Sequence, residues 1–174
     1  EGVSTRLTGR VGWLARWGAE VICRVIVGRS SLVRGGVELL LSMKSAGTYC
    51  ALVSGGFTAF TQRVADTLGF DENRANTLIV ENGKLTGQVG DPILGKQAKV
   101  DALNEISARL GLSTDDAIAV GDGANDLGML TLAGTGVALH AKPAVQAQCD
   151  VRANHGDLSA LLFVQGYSRA DFVT

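Results

Sequence analysis

The stretch Ala117-Ile118-Ala119-Val120-Gly121-Asp122-Gly123-Ala124-Asn125-Asp126-Leu127-Gly128 decides how the chain is read. A short apolar run breaks at glycine, two aspartates follow four residues apart around an asparagine, and apolar spacing of helical period resumes. An apolar strand, a polar loop and a helix in that order are the unit of a parallel α/β sheet.

The same pattern recurs on either side. The run 48–54, TYCALVS, reads as a strand ending in Ser54-Gly55-Gly56, with a helix over 57–68. Residues 36–46 read as a helix with Leu39, Leu40 and Met43 inward, and 96–110 as another. Asn82-Gly83, between two strand-like runs in TLIVENGKLTGQV, predicts a hairpin because both turn positions need positive φ. Ser113-Thr114-Asp115 reads as a cap before the strand at 117–121. A helix over 124–133, a strand over 136–139, a helix from about 143, a strand near 150–152 and a closing helical segment follow. Alternation of this kind predicts an α/β fold with a doubly wound parallel sheet. Residues 7–28 read as two amphipathic helices, with Trp13 and Trp17 as packing residues.

Bulk composition narrows the function classes. The chain has 174 residues, 46% of them hydrophobic, and a net charge of −1 from 16 basic and 17 acidic residues. With no basic surplus, no nucleic-acid partner is expected. No apolar run approaches bilayer length and no secretory leader is visible, so no membrane partner is expected. Cys23, Cys50 and Cys149 are scattered, without the spacing of a zinc site or a disulfide framework. They point to a reducing cytoplasm, with Cys23 and Cys50 as core thiols.

In a doubly wound sheet, ligands bind beyond the carboxyl ends of the strands. Ser54-Gly55-Gly56 offers a hydroxyl and backbone N–H groups ahead of a helix, which suits a phosphate; a plain strand-to-helix turn is the competing reading. The loop 121–126 is not a dinucleotide fingerprint, because its sixth position is Asp126. Its carboxylates and asparagine suit Mg²⁺, a hard cation that takes oxygen ligands and bridges to phosphate. Helix capping is the competing reading, and it needs one acid rather than two. Lys99, near a helix start, is either a solvated lysine or a group that neutralises charge in phosphoryl transfer, with Lys96 the weaker candidate. His140 and His155 read as surface residues.

In combination, Ser54-Gly55-Gly56-Phe57, Lys99 and Gly121-Asp122-Gly123-Ala124-Asn125-Asp126 resemble the second, third and fourth motifs of the haloacid dehalogenase-like phosphatases. The likeness is closest to the phosphoserine phosphatases of that family and runs from about residue 35 to 162. It implies a Rossmann-like core with a helical cap, here a partial cap over 1–33 and a core over 34–174. It implies Mg²⁺-dependent hydrolysis of O-phosphoserine, as in serine biosynthesis, through a phospho-aspartate. By this resemblance Ser54 and the backbone at Gly55 bind the phosphate and Lys99 steadies it. Asp122 ligates Mg²⁺, Asp126 supports the metal from behind, and Asn125 lines the pocket. Arg10, in TRLTGRVGWL, takes the position of the arginine that binds the substrate carboxylate. Arg34 departs from the family, which places proline there.

The larger departure is the family's first motif, Asp-x-Asp, whose first aspartate is the nucleophile. None of the 174 residues forms it; Asp115-Asp116 are adjacent and precede a strand. The chain is therefore expected to begin inside the cap and, alone, to turn over little substrate. The strands carrying Ser54 and Asp122 are expected to keep open edges, which favour association, a homodimer among the outcomes. The alternatives are a noncatalytic phosphate- or metal-binding relative and an edge-pairing fragment.

Overall fold

A computed structural model describes residues 34–174. The expected partial cap, with Arg10, Trp13, Trp17 and Cys23, lies outside the described residues. Those described fall in two compact units: residues 34–93 with 157–174, and residues 94–156.

In the first unit, helix α1 (Gly36–Ser45) precedes strand β1 (Ala51–Phe57), helix α2 (Thr58–Leu68) and strand β2 (Glu72–Asn76). α1 buries Leu39, Leu40 and Met43, as its spacing predicts. β1 and β2 pair in parallel across the α2 connection. The strand read at 48–54 is shifted: it starts at Ala51 and runs through Ser54-Gly55-Gly56, so this segment is not a turn beyond the strand. β2 has the sequence ENRAN and carries no apolar alternation. Pairing with β1 and burial of Asn76, 1% exposed, place it in the sheet against its local preference.

Strands β3 (Leu78–Glu81) and β4 (Lys84–Val89) form the expected antiparallel hairpin, with Asn82 at φ 51° and Gly83 at φ 75°. The C-terminal segment returns to this unit as α6 (Ala160–Val164), which packs against α1. Val173 N–H donates to the Ser42 hydroxyl at 2.9 Å, and Phe163 meets Phe172 with ring centroids 5.0 Å apart.

The second unit opens with α3 (Lys96–Leu110) and a capped 3₁₀ turn at Thr114–Asp116. Then come β5 (Ile118–Gly121), α4 (Leu127–Leu132), β6 (Thr135–Leu139), α5 (Pro143–Gln146) and β7 (Val151–Ala153). β5, β6 and β7 form a parallel sheet in that order. Its core joins Ala119, Leu130, Ala138, Ala141, Val145 and Cys149. α4 is shorter than the expected span 124–133 and starts after Asp126, whose side chain accepts from the backbone N–H groups of Asp122 and Gly123.

Two glycines make this packing possible. A Cβ at Gly136 would stand 2.0 Å from the Leu130 carbonyl oxygen, and one at Gly134 would stand 1.9 Å from that of Asp115. The α4-to-β6 connection thus depends on backbone approaches that no side chain permits.

Candidate active site

In the second unit, the loop after β5 is organised around one carboxylate. Asp126 is 3% exposed. Its Oδ2 accepts from the backbone N–H of Asp122 at 3.2 Å and of Gly123 at 3.0 Å. Its Oδ1 accepts from Asn125 Nδ2 at 3.3 Å and pairs with the Lys99 ammonium. Four donors saturate the group, which is how a buried charge is made tolerable.

Gly121 is required by this inward carboxylate, whereas at Gly123 the crowding comes from the Asn125 side chain. A Cβ at Gly121 would lie 2.5 Å from Asp126 Cβ and 2.8 Å from Oδ2, and one at Gly123 would lie 2.4 Å from Asn125 Oδ1. Lys99 reaches the loop because α3 and α4 pack closely: a Cβ at Gly128 would sit 2.9 Å from Val100 Cγ2. The lysine side chain is only 13% exposed, so it is not the solvated helix lysine that its position alone allows.

Asp122 is the opposite case. It is exposed at the carboxyl end of β5, and no described protein group donates to its carboxylate. A bare carboxylate beside a neutralised one matches the donor set of magnesium, which takes one or two carboxylates and completes its shell with water and substrate oxygens. Among the described residues no group of three or more His, Cys, Asp or Glu could hold an ion by itself, as a structural zinc site would require. The exposed carboxylate of Asp122 beside the neutralised Asp126 fits the oxygen donors that magnesium takes.

In the first unit, Ser54-Gly55-Gly56 forms a bulge. Val53 pairs with Arg74 and Phe57 with Asn76, so four steps on β1 match two on β2. The surplus residues leave the ladder and find local partners. Gly56 N–H donates to Ser54 Oγ at 3.0 Å, and Asn76 Nδ2 donates to the Gly55 carbonyl at 3.0 Å. Ser54 and Gly55 lie in this unit; Lys99, Asp122, Asn125 and Asp126 lie in the other. Asn76 carries no signal in the sequence, since its value comes from a contact 21 residues away.

Both described cysteines are buried. Burial and the neighbouring Asp71 push the Cys50 thiol up to about 11, which leaves it protonated and inert. His140 and His155 are exposed.

A family model described as haloacid dehalogenase-like hydrolase matches residues 7–131. The chain belongs to that family. Its relatives include the phosphoserine phosphatase of Albidiferax ferrireducens, 48% identical over 74% of this chain and 56% of the relative. The phosphoserine phosphatase of Haemophilus influenzae is 39% identical over 88% of this chain and 48% of the relative. Among solved structures, a phospho-aspartyl intermediate analogue of phosphoserine phosphatase superposes with a TM-score of 0.86 at 34% identity, covering 94% of this chain and 78% of that one. The chain spans about half the length of the curated relatives it matches. Family membership establishes the α/β, Rossmann-like class, built here from parallel strand pairs with intervening helices.

Proposed function

We propose that these residues belong to a phosphoric monoester hydrolase acting on O-phosphoserine with Mg²⁺, in the formation of serine. The observation that carries the reading is the division of labour in the loop after β5. Asp126 is saturated by Lys99, Asn125 and two backbone N–H groups, while Asp122 stays exposed as an acceptor. The relatives' names supply the substrate.

In this reading Asp122 holds the cation, which screens the phosphoryl oxygens when bound. Asp126 holds Lys99 in place, and the lysine neutralises charge as the phosphoryl group transfers. Ser54 and the Gly55 backbone receive phosphate oxygens, Asn125 lines the pocket, and Arg10 takes the substrate carboxylate. The setting is cytoplasmic. Among the described residues no helix is long and apolar enough to cross a membrane.

No Asp-x-Asp occurs in the 174 residues, so this chain alone is expected to bind without appreciable turnover. Calorimetric titration with phosphoserine in the presence of Mg²⁺ should show binding that weakens at least tenfold in Asp122→Asn and in Ser54→Ala. Equal affinity in all three proteins overturns the site. Phosphate release by the unsubstituted chain, abolished in Asp122→Asn, overturns the expectation of inactivity.

A further inference from the structure

We propose that Asn76 is a positioning residue for the Ser54-Gly55-Gly56 bulge, holding the Gly55–Gly56 peptide so that the Ser54 hydroxyl is placed to receive an anion; this rests on the phosphate reading above. Two consecutive glycines have the widest conformational freedom a chain can have, and an anion-binding turn made of them must be ordered from outside. β2 cannot do this through its backbone. Between the Val53–Arg74 and Phe57–Asn76 pairs three residues of β1 face one of β2, so Ser54, Gly55 and Gly56 have no register partner.

The side chain of Asn76 replaces the missing ladder bond, donating from Nδ2 to the Gly55 carbonyl at 3.0 Å. Asn76 is 1% exposed, one of the few buried polar residues of the described chain, so its amide is fixed by packing as well as by bonding. The consequence follows from the planar trans peptide. Carbonyl and N–H of one peptide unit point in opposite directions, so fixing the Gly55 carbonyl toward Asn76 fixes the Gly56 N–H away from it. That N–H meets Ser54 Oγ at 3.0 Å. One buried amide thereby sets the Gly56 N–H and, through it, the hydroxyl assigned to the phosphate. Asn76 touches no substrate in this scheme and acts through the turn.

The test uses the full 174-residue chain, with ¹⁵N-labelled backbone amides and inorganic phosphate as the probe. In the unsubstituted chain, phosphate should shift the Gly55 and Gly56 amides, and the Gly56 amide should exchange with solvent more slowly than in an unstructured peptide. In Asn76→Ala, with folding checked by the dispersion of the remaining amides, exchange at Gly56 should accelerate at least tenfold. Phosphate affinity should fall about tenfold, the effect of losing one buried hydrogen bond. Asn76→Ser, which keeps a shorter donor, should fall between the two. A folded Asn76→Ala with unchanged exchange and affinity, beside an unsubstituted chain that binds, overturns the positioning role alone. If phosphate leaves Gly55 and Gly56 unshifted in the unsubstituted chain, the phosphate reading fails and the inference with it. Should Asn76→Ala not fold, the serine variant decides on the same readouts, and peptide-like exchange at Gly56 in the unsubstituted chain overturns the proposal without any variant.

Discussion

Asp126 and Asp122 stand four residues apart in one loop and do opposite work, and the difference lies in their surroundings. Asp126 is buried against Lys99, whose side chain is itself 13% exposed. Removing one partner of such a pair leaves a charge without compensation, which costs far more than the pair contributes by its presence. Lys99→Met should therefore lower the unfolding free energy by about 3 kcal/mol, read from urea denaturation, and adding Asp126→Asn should recover part of the loss. A loss below about 1 kcal/mol would mean that Asp126 is sustained by its backbone donors alone. Both aspartates were legible as a charged loop. Which was buried was not, because the buried one is met by Lys99 from another helix, 27 residues away in the chain.

At the scale of elements, side chains tie the ends of helices and strands where the backbone ladder stops. Asp71, just ahead of β2, accepts from Lys44 Nζ of α1 at 2.6 Å and from the backbone N–H of Cys50, just ahead of β1, at 2.8 Å. The hydrogen bond from Cys50, then that from Lys44, holds its carboxyl below the ordinary value of 3.8. A carboxyl whose folded pKa is depressed contributes stability that is fully present above its unfolded value and is lost as pH falls through the folded one. Asp71→Asn should thus cost about 1 kcal/mol at neutral pH and progressively less as the pH drops below 3.8, in paired urea titrations. A gap of the same size at both ends of that range would rule out the ionised carboxyl as its source. Most elements are readable from pattern: the helix at 96–110 follows its apolar spacing and the hairpin its Asn82-Gly83 turn. β2 is not, because Glu72, Asn73, Arg74 and Asn76 have no strand preference, and pairing with β1 places them.

For the whole molecule, the open strands matter most. Among the described residues β1 is paired on one side, by β2, and β5 on one side, by β6. A strand edge left without a partner presents backbone donors and acceptors, which recruit further strands unless covered. Sedimentation equilibrium of the 174-residue chain should accordingly give a mass that rises with concentration, and a strict monomer across a hundredfold range would show the edges to be protected. The amino-acid sequence by itself determined the α/β class, most of the helices and strands, and the residue types of the site, because strand–loop–helix periodicity and the Ser-Gly-Gly and Gly-Asp-Gly-Ala-Asn-Asp motifs are local. The tertiary structure alone decided that Ser54 sits in a bulge pinned by Asn76 and that Asp126 is the carboxylate of its loop bound to Lys99. Each of these depends on a contact between residues far apart in the chain, and a contact of that kind exists only once the strands and helices have packed.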